Sequence, residues 1–503
     1  MDIFKVEGIV SVGLVEAFNA FIIVYFMLVH AGLLGLFLFS WRALADFLRN
    51  LFATDYAQIR ASDLTLPISM LVPAYNEERG IVESVRSLLR ANYGEFEVVV
   101  INDGSADGTL QVLMEEFGLQ LRNEPVNVRL KSRKVRGLYR STLYPNLVVM
   151  DKERGGKSDA LNAGLNVSRY PLFCSIDADS VIERDALLRI VKPFIEHPGE
   201  TVAVGGIVRV GNGCLVRDGQ LVEARLPRSR LAVMQVVEYL RAFLAGRAGW
   251  STVRSLLIIS GAFGLYRKSD ILEIGGYSDN TDTEDAEIVV RLHKHMCEKG
   301  HPYRVVFVPD PVCWTEVPES LRVLVSQRSR WHRGLLQTLW IYRGMLFRRR
   351  YGNIGMFGMP WYLVFELLAP VVEVLGYIFI PLARVVGILN TEAMLGYLLL
   401  SFLLGTLLSV SSILLEEVAF CRYGRWRDLL RLMLYGVVEN FGFRQFLTLV
   451  KVKALLDAFL KRRQWGDMKR QGLGGPAKPR VDGGSTAQKR PLAAGEATEG
   501  TKA

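Results

Sequence analysis

Apolar residues are distributed very unevenly along this chain. Phe21 to Phe39 is an apolar run without a formal charge, interrupted by the single His30, and Ala393 to Leu415 is a longer one. Each is long enough to cross a hydrocarbon core of about 30 Å as a helix. Met356 to Ala383 is also apolar but carries Glu366 and Glu373, a heptad apart and so on nearly one helix face. Pro360, Pro370 and Pro381 predict that this region is bent or broken. Two readings of the acid pair stand level: it lines a polar path through the membrane, or it bonds to the water-soluble part near the interface. Leu429 to Val450, with Arg431, Glu439 and Arg444, is expected to re-enter or to lie at the interface, a full crossing being the alternative.

Between Pro67 and about Asp310 the pattern changes. ISMLVPAY, FEVVVIND, NLVVMD, LFCSIDAD and TVAVGGIVRV read as strands, with helical segments such as GIVESVRSLLRA and DALLRIVKPFI between them. Repeated strand–helix units predict a mainly parallel sheet covered by helices. From about Gln471 the chain is rich in Gly, Pro, Ala and Lys and too poor in large apolar residues to offset ordering entropy, which predicts a disordered tail.

A chain of 503 residues with a formal net charge of +10 has room for both a membrane part and a soluble insert. The first apolar run is not a signal peptide: Asp2, Glu7 and Glu16 precede it, it exceeds a usual apolar signal region, and no small-residue cleavage site follows. The five cysteines are scattered and form no CxxC, so no disulfide framework is indicated, as suits a cytosolic insert. Arg42 and Arg49 after the first run place the insert on the cytosolic side, and Arg422, Arg425 and Arg427 read as internal too.

In open α/β sheets ligands bind beyond the carboxyl ends of the strands. Here those ends read Asn76-Glu77-Glu78, Asn102-Asp103-Gly104-Ser105, Asp151 to Lys157 (DKERGGK), and Asp177-Ala178-Asp179. Each alone is compatible with turn chemistry, but four converging on one face point to a site. Asp103 suits a base or ribose, Gly155 and Gly156 permit close backbone approach, and Lys157 supplies a charge for phosphate. Asp177 and Asp179 offer hard oxygens for Mg²⁺ or Mn²⁺ shared with substrate phosphates. There is no GxxxxGK[ST], so this is not a P-loop. Asp282, Glu284 and Asp285 open a helical pattern, where acids are favoured in any case; the functional reading makes Asp285 a general base. HKHMCEKGH, with His293, His295, Cys297 and His301, lacks zinc spacing and reads as a surface-facing helix end.

These motifs, namely VPAYNEE, INDGS, GGKSDALNAG, DADS, TED and QRSRW in that order, resemble the membrane-integrated, processive family-two glycosyltransferases: the cellulose, hyaluronan, chitin and poly-N-acetylglucosamine synthases. The resemblance covers roughly Pro67 to Gly344. It implies an α/β GT-A-type cytosolic domain inserted between transmembrane α-helices. The expected layout is an N-terminal segment 1–50 with its membrane helix, a catalytic domain 60–332, an amphipathic interface helix 333–355, membrane or re-entrant helices 356–460, and the tail 471–503. It implies a UDP-sugar donor, a growing polysaccharide acceptor, Mg²⁺ or Mn²⁺, lipid contact at the cell membrane, room for accessory or secretion subunits, and no nucleic-acid partner. By the same resemblance Pro73, Tyr75, Glu77 and Asp103 lie toward the nucleotide with Lys157 nearby. Asp177 and Asp179 form the DxD motif, with Asp179 the direct metal ligand. Asp285 is the catalytic base beside Glu284. Gln327, Arg330 and Trp331 hold the diphosphate and the acceptor end, and Ser260 to Gly264 (SGAFG) falls where such enzymes line the acceptor site. QRSRW sits nearer to the cellulose and poly-N-acetylglucosamine enzymes than to the QQxRW of hyaluronan synthases. The donor expected is UDP-N-acetylglucosamine or UDP-glucose. The rival reading is a non-processive transferase that adds one sugar to a lipid carrier.

Overall fold

The structure, a computed structural model, describes residues 12–460 apart from 52–55, 63–64, 388–389 and 424. The expected tail 471–503 lies outside the described residues. The described strands are β1 (Ile68–Ala74), β2 (Phe96–Asp103), β3 (Leu119–Arg122), β4 (Val135–Ser141), β5 (Leu147–Lys152), β6 (Leu172–Ile176), β7 (Val181–Ile182), β8 (Thr201–Val210), β9 (Leu215–Arg217), β10 (Gln220–Glu223), β11 (Phe263–Arg267) and β12 (Arg304–Thr315). Ten of them form one sheet in the order β3-β4-β5-β2-β1-β6-β11-β8-β12-β7, and β9 and β10 pair as a separate hairpin.

The strands β5, β2, β1 and β6 are parallel neighbours, so the four polar strand ends do open on one side of the sheet. The sheet is nevertheless mixed, not mainly parallel. β11 runs antiparallel between β6 and β8, and β4 and β7 are antiparallel to their neighbours. The central strands are sealed on both faces: Ile68, Met70, Leu71 and Val72 of β1 are fully buried, as are Val98 to Ile101 of β2. Such strands read as continuous apolar runs rather than as alternation. Helices Ile81–Leu89 and Ala186–Glu196 lie where the periodicity predicts, and the first buries Ile81, Val85 and Leu88.

Among the described residues three helical segments are long and apolar enough to cross a membrane: Ala17–Arg49, Ile354–Val385 and Met394–Phe420. Their outer faces leave Phe21, Met27, Leu38, Leu399 and Leu403 at least half exposed, a surface suited to lipid. The middle segment is broken, as its prolines predict. Tyr362–Leu367 is a π-helical turn, the chain bends at Leu368, and Ala369–Val386 resumes with Pro370 in its first turn. Leu429–Val450 is not a continuous span. Helices Trp426–Val438 and Phe443–Phe459 meet at a break that includes Gly442 at φ +89°. Glu373 accepts a hydrogen bond from Thr448 of the second of these helices (2.8 Å), a partner neither reading of the acid pair named.

The expected interface helix 333–355 is not a separate element. QRSRW and its continuation form one helix, Leu321–Ile341, started by the Ser320 hydroxyl accepting from Val323 N; residues after Tyr342 form 3₁₀ and turn structure. The sequence signal that suggested a boundary, arginines beside aromatics, does not interrupt helical hydrogen bonding. Trp340 and Phe347 are strongly exposed beside Arg343 and Arg348.

One buried ion pair joins sheet to membrane helix. Arg209 of β8 meets Glu416 near the end of helix Thr391–Phe420 at 2.7 Å, with both side chains 1% exposed. The Arg209 guanidinium also lies over the rings of Trp314 and Phe420. Removing one partner of a buried pair leaves an uncompensated charge. Glu416→Ala is therefore expected to destabilise the protein by about 3–5 kcal/mol, read from denaturant unfolding in detergent. The double variant Arg209→Met, Glu416→Leu is expected to recover most of that loss.

Candidate active site

The loops after β1 and β2 are stitched to each other. Asn76, at φ +56°, donates its backbone N–H to the Ser105 hydroxyl (3.0 Å) and accepts at its side-chain oxygen from Ala106 N (2.8 Å). Glu77 N donates to the Thr109 hydroxyl at 2.9 Å. Asp103, at the end of β2, then shapes the loop after β5. Its Oδ1 accepts from Lys152 Nζ (2.5 Å) and Gly155 N (2.9 Å), and its Oδ2 accepts from Gly156 N (2.7 Å). Gly156, at φ +93°, opens helix Lys157–Val167. Asp103 thus fixes where the Lys157 helix begins, a role the strand-end pattern did not announce.

Lys157 is the hub of the site. Its Nζ lies 2.6 Å from Asp177 Oδ1 and 3.2 Å from Glu284 Oε1, and it approaches the Gly261 carbonyl at 3.5 Å. Burial works against the ammonium, but Asp177, Glu284 and Asp285 outweigh it and raise its pKa well above the usual lysine value. Gly261 N in turn donates to Asp285 Oδ2 at 3.0 Å, and Ala286 N donates to Oδ1 at 2.9 Å. A side chain on Gly261 would come within 2.8 Å of Lys157 Nζ, so the SGAFG glycine is what lets Asp285 and Lys157 stand this close. The pKa of Asp285 is raised, first by burial and then by Glu284, with Lys157, the Gly261 amide and Arg330 acting the other way.

These groups line one cavity of about 700 Å³. Of the residues expected from sequence, Lys157, Asp177, Asp179, Glu284 and Asp285 line it on one side, and Gln327, Arg330 and Trp331 line it from helix Leu321–Ile341. Pro73, Tyr75, Glu77 and Asp103 do not line it; they sit beside it at the ends of β1 and β2, with the Arg154 guanidinium 4.2 Å from the Tyr75 ring centroid. Gln327 Oε1 is buried with no hydrogen-bond partner among the described residues. Trp331 is 37% exposed, and Arg328 lies over its ring at 4.3 Å while pairing with Glu238. One face of that ring is therefore taken by Arg328. Glu238, Tyr239, Arg247 and Glu316 also line the cavity; they belong to no spaced motif, and only the folded chain brings them in.

Among the described residues no cluster of three or more His, Cys, Asp and Glu side chains forms a cation cage. The donor set of the cavity is the carboxylate pair Asp177 and Asp179, with Asp179 8% exposed. Two hard oxygen donors fit Mg²⁺ or Mn²⁺ when nucleotide phosphates complete the shell. His293 is not a surface residue: it is 2% exposed, bonds Tyr303 OH (2.8 Å) and the Leu256 carbonyl (2.9 Å), and burial lowers its pKa to about 4. The other histidines of that segment do not join it at a metal, and the five cysteines are free.

A family model described as glycosyl transferase family 2 matches residues 69–232, and one described as glycosyl transferase family group 2 matches residues 172–410. The chain belongs to the family 2 glycosyltransferases. Its fold is of the GT-A type, flanked by apolar helices. It is 28% identical over 277 residues to a poly-β-1,6-N-acetyl-D-glucosamine synthase of Staphylococcus epidermidis, covering 54% of this chain and 56% of that one. The same name attaches to a Staphylococcus aureus (strain COL) protein, 27% identical over 267 residues, with 53% and 54% covered. The chain thus spans about half the length of these curated relatives. Among solved structures, a mannosyltransferase of Pyrobaculum calidifontis in complex with GDP-Man and Mn²⁺ aligns over 88% of this chain and 99% of that one, at 16% identity and a TM-score of 0.49.

In this family 2 chain the Trp331 helix and the residue after it also grip the start of helix Glu284–Lys299, which carries Asp285. Gln337 Oε1 accepts from Asp282 N (2.7 Å), Arg333 Nε donates to Asp282 Oδ2 (2.9 Å), and Tyr342 OH donates to Glu287 Oε1 (2.5 Å). At Gly334 the contact is so close that an added Cβ would lie 2.1 Å from Thr283 Oγ1. Gly334→Ala is expected to destabilise the protein by about 1–3 kcal/mol through overpacking. It is also expected to slow glycosyl transfer about tenfold or more by displacing the first turn that carries Asp285. Equal kcat values for variant and wild type would show that this contact does not position Asp285.

Proposed function

We propose that this chain is a processive, inverting glycosyltransferase that polymerises a UDP-sugar into an extracellular polysaccharide and passes the product through its own membrane helices. The observation that carries the reading is the single cavity. It brings the Asp177–Asp179 pair, the Lys157 ammonium and Asp285 against the Gln327–Arg330–Trp331 face of a helix that packs on helix Phe443–Phe459. UDP-N-acetylglucosamine is the favoured donor, on the likeness to the staphylococcal synthases, and UDP-glucose is the other. The catalytic domain is cytosolic, in keeping with Arg42 and Arg49 after the first apolar helix.

In this reading Pro73, Tyr75, Glu77 and Asp103 form the nucleotide side. Asp285 takes the proton of the acceptor hydroxyl as its oxygen attacks the anomeric carbon from the face opposite UDP. The bond to the diphosphate breaks, the anomeric configuration inverts, and the electron pair leaves with UDP. Lys157 and Arg330 face the charge that develops on that leaving group, and such preorganised charge is often the largest catalytic contribution. Asp179, with Asp177, would hold Mg²⁺ or Mn²⁺, which when bound neutralises diphosphate charge. Gln327 offers its unpartnered oxygen to a sugar hydroxyl. Trp331 offers its remaining ring face to the acceptor sugar.

A panel of UDP-sugars with product sizing tests the reading. Purified protein with Mg²⁺ or Mn²⁺ is expected to release UDP and form long chains. Products limited to one sugar on a lipid would overturn processivity in favour of the single-transfer reading. Asp285→Asn is expected to bind UDP and fail to elongate; wild-type polymer yield from it would remove Asp285 as the base. Because the Asp285 pKa is raised, its base form is lost on acidification earlier than for an ordinary aspartate. The acid limb of the kcat profile is therefore expected at higher pH than an ordinary aspartate would give.

A further inference from the structure

Arg247 is a cationic side chain of the cavity that no motif accounts for. It ends a π-helical segment, Arg241–Arg247, and lines the cavity. π-Helical turns are rare and frequently mark functional positions. The guanidinium is stacked 3.7 Å from the Phe243 ring centroid, which fixes its plane. Its Nη1 is buried without a hydrogen-bond partner, and the residue forms no ion pair, among the described residues. The neighbouring Arg328 differs in having a counter-ion, Glu238 at 2.8 Å, although its Nε is unpartnered too. A buried donor left unmatched costs about 1–3 kcal/mol, so such a group is retained where a ligand completes it.

The surroundings of Arg247 indicate the class of that ligand. Burial presses its pKa downward, while Tyr362, Asp285, Tyr239 and Tyr266 act to hold its charge. Its segment, Arg241–Arg247, packs on the membrane helices Val12–Leu51 and Thr391–Phe420, and the Ser40 hydroxyl of the first donates to the Ala245 carbonyl at 2.9 Å. The same cavity carries Glu238, Glu284 and Asp285, which disfavour a second anion. It also carries Tyr239 and Trp331, whose rings suit the apolar face of a sugar. A neutral saccharide has the oxygen acceptors and the ring faces for this wall; a lipid phosphate adds a charge the acids oppose.

We propose that Arg247 is an acceptor-binding residue that donates Nη1–H to an oxygen of the nascent saccharide where the cavity meets the membrane helices. This rests on the synthase reading above for the identity of the acceptor. It adds a contact beside the Phe243 ring, on the segment that packs against the membrane helices. The hydrogen bond sets affinity for the growing chain and leaves donor binding to the strand ends.

The test uses the full chain in detergent, as wild type, Arg247→Met and Arg247→Lys. Binding of a β-linked N-acetylglucosamine pentasaccharide is followed by tryptophan fluorescence, without donor. The apparent KM for the same pentasaccharide and for UDP-N-acetylglucosamine is then measured by UDP release. Arg247→Met is expected to weaken saccharide binding and raise the acceptor KM about three- to tenfold. The donor KM is expected to stay within about twofold, and polymer length to shorten; Arg247→Lys is expected to recover part of the loss. UDP affinity and thermal melting report whether each variant is folded, and if Arg247→Met does not fold, Arg247→Lys and Arg247→Gln carry the comparison. Unchanged saccharide binding in folded variants would overturn the proposal, and so would a loss confined to donor KM or to transfer onto a lipid phosphate. Saccharide binding that depends on Arg247 in a protein that turns over no UDP-sugar would retain this inference and remove the synthase reading. Turnover with an Arg247-independent acceptor KM would do the reverse.

Discussion

The ammonium of Lys157 is the group on which the site depends. Asp177 comes from the end of β6, and Glu284 and Asp285 open the helix Glu284–Lys299, more than a hundred residues later. Three carboxylates brought together in a partly buried wall repel each other. One cation that touches two of them and acts on the third makes the arrangement tolerable. Its position is inherited from elsewhere: Asp103 holds the Gly155 and Gly156 amides, and these set the start of the Lys157 helix. The ends of β1 and β2 therefore help to place Lys157 even though they do not line the cavity.

Much of this was legible along the chain, for physical reasons that can be named. β1, β2 and β8 are continuous buried runs ending in turn residues, and their bounds fall nearly where the pattern puts them. β4 is half polar and β11 is short with a glycine inside, so neither has a periodic signature. β12 contains Pro309 and Pro311, which argue against a strand; it survives through a register irregularity between Val308 and Val312. The boundary expected between residues 332 and 333 is not seen because helices are ended by caps and breakers, not by changes in what their side chains touch. Gly334, a weak breaker, is accommodated there because Thr283 fills the space beside it.

The motif residues Lys157, Asp177, Asp179, Glu284, Asp285, Gln327, Arg330 and Trp331 do meet in space. Glu238, Tyr239 and Arg247 could not be found in the same way. They lie on an unremarkable apolar helix and its π-helical extension, and only the packing of that helix beneath β8 carries them to the cavity. His293 was misplaced for a related reason: helical spacing separates it from His295, but does not say which of the two faces inward.

The Arg209–Glu416 pair has a consequence for the order in which the molecule is made. The two residues are 207 positions apart, so during synthesis Arg209 emerges long before its counter-charge exists. Until Glu416 arrives, the guanidinium has to keep its water, and the outer face of β8 beside Trp314 stays open. Helix Thr391–Phe420 is therefore a late part of the sheet's own core, and docking it is a closing step of folding rather than the attachment of a finished domain to a membrane.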